Sequence, residues 1–121
     1  NRSHVLVGDG AFQMTGQELS TAARYGLSPI VVVLDNQGYG TERPMLDGPF
    51  NDVHPWAVTE ITTLIGAGQG YKVGEEVELV NAMRAALADR ESLAVIHVEL
   101  APDDFSPALL RLTSNLGKRV S

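Results

Sequence analysis

The sequence predicts an α/β protein built on a doubly wound parallel sheet. Three apolar runs rich in β-branched residues, at residues 5–7, 30–34 and 93–100, are mostly continuous rather than alternating. Such runs are typical of strands that are buried on both faces, as in a parallel sheet. Helical patterns lie between the runs, and strands that alternate with helices favour the same architecture.

The first helical pattern covers residues 12–25, and its regular part is expected to begin near Thr15. Residues 15–18 read TGQE, which matches a capping box. Gly26 fits the C-terminal cap of this helix, and Pro29 prevents its continuation.

The remaining elements follow from similar local patterns. A short fourth strand is expected at residues 71–73, and further helices at residues 55–65, 77–88 and 107–116. The glycine-rich residues 66–70 follow a helix rather than a strand, which favours a helix-ending turn over a nucleotide-binding loop. Between the second strand and the second helix, residues 35–54 are irregular and rich in Gly and Pro, and a loop of this length in a compact domain is expected to be functional.

Composition narrows the classes of function. The chain has 121 residues, 44% of them hydrophobic, which suits one compact domain with a real core. A net charge of -6 argues against a nucleic-acid partner, and the lack of cysteine excludes disulfides and thiolate metal sites. No apolar run has membrane-spanning length, so no membrane partner and a cytoplasmic location are expected. The chain has no initiator Met and enters a strand almost at once, which suggests a piece of a longer polypeptide.

Two polar residues stand at predicted strand ends. Asp9 follows the first strand and Asn36 follows the second, and ligands of open α/β sheets bind beyond such ends. A carboxylate, an amide oxygen and the backbone carbonyl of Gly38 would give a hard cation such as Mg²⁺ three oxygen ligands. Gly8 and Gly10 would let a phosphate approach the backbone, and a helix that starts after Gly10 would favour the same anion.

The same residues carry a family resemblance. Gly8-Asp9-Gly10, followed by Asn36, resembles the thiamine diphosphate motif, which reads GDG, a spacer and usually NN; here Asp35 stands in the place of the first Asn. The segments GDGAFQMTGQELSTAARYGLSPIVVVLDNQGYGTER and FNDVHPWAVTEITTLIGA are similar to pyruvate and indolepyruvate decarboxylases. The resemblance runs from His4 to about Leu100 and implies the thiamine diphosphate-binding fold.

The resemblance implies two cofactors, thiamine diphosphate and Mg²⁺. It implies that Mg²⁺ is bound by the side chains of Asp9 and Asn36 and by the carbonyl group of Gly38. Further contacts with the cofactor are implied for four neighbours of these ligands: Gly8, Gly10, Ala11 and Tyr39. Glu42 falls where the decarboxylases keep an active-site glutamate that assists proton transfer, so it is implied to be catalytic.

Residues 1–121 are implied to be the C-terminal part of a diphosphate-binding domain, as a fragment of a longer chain. The implied reaction is the non-oxidative decarboxylation of a 2-oxo acid to an aldehyde. The pyrimidine-binding domain of the same or a partner subunit would be missing, and the complete enzyme is expected to be a homo-oligomer. The chain alone is therefore expected to be inactive, to expose a sheet edge and apolar surface, and to self-associate.

Other interpretations remain open at this stage. A second enzyme class is a thiamine diphosphate-dependent carboligase similar to acetolactate synthase. A non-catalytic binding module, such as a receiver-like domain, is a third alternative, although no Lys ends the strand at residues 93–100. His4, His54 and His97 lack metal-ligand spacing and are interpreted as structural, with His97 as a hydrogen-bonded core residue.

Overall fold

The centre of the protein is a parallel β-sheet of four strands. The computed structural model describes the backbone of residues 1–120 and the side chains of residues 1–118. The strands are β1 (His4–Gly8), β2 (Ile30–Asp35), β3 (Gln69–Val73) and β4 (Ala94–Glu99), in the spatial order β1-β2-β4-β3. All three pairings are parallel, which confirms the sheet predicted from the apolar runs.

Helices cover both faces of the sheet. They are α1 (Asp9–Thr15), α2 (Leu19–Arg24), α3 (Ile61–Ile65), α4 (Glu76–Ala88) and α5 (Pro107–Val120). Single 3₁₀ turns occur at Gly16–Glu18, Pro49–Asn51 and Val58–Glu60.

The core consists of two apolar layers, one on each face of the sheet. On one face, Ile30 and Ile96 belong to a buried cluster with Ala82 and Ala86 of α4. On the other face, the alternate strand residues, such as Val33, pack in a cluster that includes Phe12, Val58 and Ile61. Because successive strand residues point to opposite faces, β2 and β4 carry apolar residues on both faces, with the exceptions of Asp35, His97 and Glu99. The doubly wound fold is therefore confirmed.

The predicted start of the first helix near Thr15 is wrong. Helix α1 begins directly after β1, at Asp9, and Thr15 is its last residue. The Thr15 hydroxyl donates a hydrogen bond back to the carbonyl of Ala11 (3.2 Å), so no capping box forms. Gly16 then continues as a 3₁₀ turn against the ring of Phe12, where an added Cβ would lie 2.9 Å from the ring.

Two other helix boundaries also differ from the prediction. Residues 55–57 are not helical, and the second helical segment begins only with the 3₁₀ turn at Val58. The carbonyl group of His54 accepts a hydrogen bond from the Gln13 side chain (2.6 Å), which holds the preceding chain against α1. Helix α5 continues past the predicted end at residue 116 to Val120.

The glycines at two helix ends are predicted correctly. Gly26 and Gly66 both have a positive φ, of 65° and 68°, as expected for left-handed helix caps. Gly66 caps α3, so the glycine-rich stretch after it is a helix-ending turn that leads into β3.

Strand β1 departs from the expectation that every strand is buried on both faces. It lies at an edge of the sheet, and Val5 and Leu6 are 42% and 71% exposed. An open edge and exposed apolar side chains are what the sequence interpretation expected of this surface. Among the described residues, no helix is both long and apolar enough to cross a bilayer.

Candidate cofactor site

The candidate site lies at the carboxyl ends of β1 and β2. The two strands are neighbours in register, with Gly8 opposite Leu34, so Asp9 and Asn36 emerge side by side. Asp9 is only 5% exposed, although it is the first residue of α1. The fold therefore brings together the two side chains that the sequence marked as strand-end residues.

The side-chain amide of Asn36 connects Asp9 with Gly38. One amide atom lies 3.2 Å from Oδ1 of Asp9 and 2.9 Å from the carbonyl oxygen of Gly38. If that atom is the nitrogen, it donates a hydrogen bond to each oxygen. If it is the oxygen, three oxygens converge, and only a cation between them stabilises such an arrangement.

The separations of 3.2 and 2.9 Å between the Asn36 amide and the oxygens of Asp9 and Gly38 are close to those between neighbouring ligands of a small divalent cation. Neighbouring ligands of an octahedral ion with bonds of about 2.0–2.1 Å lie about 2.9 Å apart. Within the described part of the chain, no three His, Cys, Asp or Glu side chains cluster as metal ligands, so a cation here would be held by mixed oxygen donors. One carboxylate, one amide and one carbonyl fit Mg²⁺, which leaves other positions to phosphate and water.

A cavity of about 410 Å³ opens beside these oxygens. Every residue for which the sequence predicts a cofactor contact lines it, from Gly8 to Tyr39. Its remaining lining residues are Met14, Leu34, Gly40, Thr41 and Leu100. The wall is mostly apolar and includes the polar side chains of Asp9 and Asn36, as is usual for a small-molecule site.

Two glycines keep this cavity open in different ways. A Cβ added at Gly8 would meet no atom within 4 Å, so the space beside its backbone is free for a ligand. Gly10 contacts the ring of Tyr39, where an added Cβ would lie 2.7 Å from Cε1. Any larger residue at position 10 would therefore displace the Tyr39 ring that forms part of the wall.

The irregular segment after β2 is a folded loop. Gly38 and Asp52 form an antiparallel bridge, and the Tyr39 N–H donates to the carbonyl of Asn51 (2.8 Å). Arg43 donates to the carbonyl of Gln37 (3.1 Å) and to Oδ1 of Asp52 (2.9 Å). These contacts fix the loop that presents Asn36 and Gly38 to the cavity.

Glu42 is not brought to the cavity. It is exposed and occupies a turn in which its N–H donates to the carbonyl of Tyr39 (3.0 Å). Its catalytic role stays a prediction.

The electrostatics of the site favour a bound cation. The pKa of Asp9 is raised, mainly because burial removes water from its carboxylate and further because the Asp35 carboxylate lies nearby. A cation between these groups would stabilise the ionised form of Asp9.

Asp35 is in turn paired with the buried His97. Its Oδ2 lies 2.7 Å from Nε2 of His97, which is 4% exposed. The prediction that His97 is a hydrogen-bonded core residue is confirmed.

A second, larger cleft of about 560 Å³ lies on the Gln37 and Arg43 side of the loop. Its polar lining includes Asp47, Asp52 and Asp103. Arg43 is ion-paired with the first two of these carboxylates, at 3.1 and 2.9 Å. Most of the charged groups in this cleft are therefore paired with one another within the loop. They are less available to bind a ligand than the polar groups of the smaller cavity beside Asp9.

Sequence reasoning missed several residues that shape the site. Leu34 and Leu100 flank the cavity at strand ends, and Met14 lies one helical turn after Gly10. The i, i+4 spacing of Gly10 and Met14 was a usable signal. The role of Asn51 had no signal in the sequence: this residue is buried within the loop and is hydrogen-bonded to Leu46 and Tyr39.

Comparison with known proteins decides the family. Residues 1–98 match the family model described as thiamine pyrophosphate enzyme, C-terminal TPP binding domain. The chain belongs to this family. The resemblance predicted from the GDG motif and Asn36 is thus confirmed, and the matched residues include all of β1 to the penultimate residue of β4.

Curated relatives of this thiamine pyrophosphate enzyme domain are decarboxylases. The chain is 40% identical over 121 residues to a pyruvate decarboxylase of Aspergillus terreus, covering 94% of the chain and 21% of the relative. It is 39% identical over 103 residues to an alpha-keto-acid decarboxylase of Mycolicibacterium paratuberculosis, covering 82% and 18%. The chain thus spans about a fifth of the length of these relatives.

A solved structure gives the same result. The fold matches the crystal structure of benzoylformate decarboxylase from Polynucleobacter necessarius with a TM-score of 0.75 and 28% identity. The match covers 88% of this chain and 21% of that chain.

Proposed function

We propose that this chain is the part of a 2-oxo acid decarboxylase that binds Mg²⁺ and the diphosphate of thiamine diphosphate. The observation that carries the proposal is the convergence of Asp9, Asn36 and Gly38 beside the cavity. The decarboxylases among the relatives support the choice of reaction.

In this proposal each residue has a defined task. The carboxylate of Asp9, the amide oxygen of Asn36 and the carbonyl of Gly38 hold Mg²⁺, which neutralises the diphosphate. The space beside Gly8 admits the diphosphate, while Gly10, Ala11 and the Tyr39 ring form the wall along it. When bound, thiamine diphosphate supplies the electron sink that decarboxylation of a 2-oxo acid requires.

Glu42 is proposed as the residue that moves a proton during the reaction. Its turn follows directly on Tyr39, in the same loop that carries Asn36 and Gly38. A carboxylate there becomes useful only when other parts of the enzyme exclude water around it. This role therefore depends on the complete protein.

The complete catalyst is proposed to need a pyrimidine-binding domain from the same or a partner subunit, in a homo-oligomer. Two observations support this: the chain spans about a fifth of its relatives, and the edge strand β1 exposes Val5 and Leu6. Residues 1–121, as the C-terminal part of the diphosphate-binding domain, would by themselves bind the cofactor but not convert the 2-oxo acid. The cytoplasmic location stays a prediction.

The test is cofactor binding and product analysis in the full natural polypeptide that carries this sequence. Asp9→Asn should weaken the Mg²⁺-dependent binding of thiamine diphosphate strongly. Loss of a residue that only supports a metal ligand typically weakens binding by about 10–100-fold, and loss of a ligand itself should weaken it by more. Asp104→Asn, an exposed carboxylate outside the cavity, is the matched control and should bind normally.

The products then separate the alternatives. Release of an aldehyde from a 2-oxo acid supports the decarboxylase, whereas an acetohydroxy acid supports the carboligase. Cofactor binding with no turnover of any 2-oxo acid would indicate a non-catalytic module. Equal binding by the wild type and Asp9→Asn would reject the proposed site.

A further inference from the structure

A buried histidine lies behind the candidate metal ligands. His97 is in β4, opposite Val33 of β2, and its Nε2 contacts Oδ2 of Asp35 at 2.7 Å. The two side chains are 5% and 14% exposed. A carboxylate that is largely withdrawn from water is costly unless a hydrogen-bond donor compensates it, and His97 is placed to be that donor.

The other oxygen of Asp35 holds the turn that carries two of the proposed ligands. Oδ1 accepts a hydrogen bond from the N–H of Gln37 (3.0 Å), which forms an Asx turn across Asn36. Gln37 is the non-glycine residue with positive φ (64°) among the described residues, so its conformation needs such support. The orientation of Asn36 and Gly38 therefore depends on where the Asp35 carboxylate stands.

The same carboxylate lies close to the third proposed ligand. The charge of the Asp35 carboxylate is one of the causes that raise the pKa of Asp9, after the burial of Asp9 itself. A hydrogen-bond donor to Oδ2 stabilises the negative charge of Asp35 and so weakens its repulsion of Asp9. His97 is placed to do this from the neighbouring strand.

We propose that His97 is a positioning residue for the metal site: it fixes Asp35, and Asp35 fixes the turn that aims Asn36 and Gly38. The inference rests on the proposed function, since it concerns how the same site is held ready for Mg²⁺. It implies that the need for His97 arises from the charge of Asp35. A neutral amide at position 35 would accept from Gln37 without requiring a compensating partner in β4.

The test is a mutant cycle read by the dissociation constant of thiamine diphosphate in the presence of Mg²⁺. The proteins are the full natural polypeptide and its variants His97→Leu, Asp35→Asn and Asp35→Asn/His97→Leu. His97→Leu should weaken binding by about 10–100-fold, the usual loss when a residue behind a ligand is removed. The double variant should bind within a few-fold of the wild type, because it has no unpaired buried charge.

Two further variants separate positioning from general loss of stability. Ile96→Val removes a methyl group from the adjacent, fully buried residue of β4, on the opposite face of the sheet, and should lower stability without weakening binding. His97→Gln keeps a side-chain N–H for Asp35 and should retain most of the affinity for thiamine diphosphate. This variant still tests the proposal if His97→Leu fails to fold.

The outcomes are distinct. Wild-type affinity in His97→Leu, or a double variant as weak as His97→Leu, would overturn the positioning role while leaving the proposed function intact. If His97→Leu does not fold, weak binding by His97→Gln would overturn it. A wild-type protein that does not bind thiamine diphosphate with Mg²⁺ would overturn the proposed function and this inference together.

Discussion

Replacement of Gly38 by alanine tests whether the loop geometry, and not only the ligand side chains, makes the site. Gly38 has a φ of 155°, and an added Cβ would collide with the carbonyl oxygen of Asn51 and lie 2.6 Å from a guanidinium nitrogen of Arg43. The unfavourable φ costs about 1–3 kcal/mol. The collision adds about 1–3 kcal/mol, because the bridge to residues 51 and 52 has to open.

The matched control is Gly26→Ala. Gly26 also has a positive φ, of 65°, but an added Cβ there meets no atom within 4 Å. Its cost is the backbone term alone, about 1–2 kcal/mol. Urea unfolding of the purified proteins should therefore rank Gly38→Ala as the less stable of the two.

Cofactor binding gives the second half of the test. Gly38→Ala moves a carbonyl proposed to bind Mg²⁺, so Mg²⁺-dependent binding of thiamine diphosphate should fall sharply, while Gly26→Ala should keep it. Equal stability of both variants together with unchanged affinity in Gly38→Ala would refute the reasoning.

The remaining predictions concern the carboxylate of Asp9 and the hydrogen bonds of Arg2. The pKa of Asp9 is raised, mainly by burial, so protons should compete with Mg²⁺ at a higher pH than they would at an ordinary Asp. When Mg²⁺ affinity is measured against pH, it should fall by about tenfold per pH unit below that pKa, because one proton replaces the ion. By itself the raised pKa makes folding more favourable at low pH and less so as pH rises, and Asp9→Asn should remove this dependence from urea unfolding curves. Arg2 donates to the carbonyls of Ser28, Ala86 and Ser92 at 2.5–2.7 Å, and Arg2→Lys, which cannot reach all three, should cost about 2–4 kcal/mol. The control is Arg24→Lys, which should hardly change the free energy of unfolding, since the Arg24 guanidinium lies over the Tyr25 ring at 5.9 Å and a lysine can also place its charge there. Equal losses of stability for the two arginine variants would contradict the role given to the hydrogen bonds of Arg2.

The sheet could be predicted from the sequence because its central strands carry their own evidence. Residues 30–34 are apolar at every position and residues 94–98 at every position except His97, and a strand covered on both faces explains that pattern. Strand β1 has a similar pattern but exposed Leu6, since burial depends on what lies next to a strand and not on the strand alone.

Helix boundaries were harder to predict because competing contacts decide them. Thr15 can cap a helix forwards or bond back to Ala11, and the fold uses the second option. Residues 55–57, which were expected to be helical, follow a residue that is held by a long-range hydrogen bond from Gln13 to the carbonyl of His54. Neither boundary could be predicted from the local sequence.

The candidate site could be predicted to the extent that it depends on strand ends. Asp9 and Asn36 meet because parallel neighbouring strands end at the same edge, which the pattern already implied. The support for the loop could not be inferred, because Asn51 and His97 act across distances in the chain that no short motif records.

The most direct test of the central claim is a calorimetric titration of the full natural polypeptide with thiamine diphosphate, in Mg²⁺ and in excess EDTA. The account predicts binding that needs the divalent cation, that thiamine without its diphosphate does not reproduce, and that Asp9→Asn abolishes. Equal binding in EDTA, or equal binding of thiamine, would show that Asp9, Asn36 and Gly38 do not anchor the diphosphate through a metal ion.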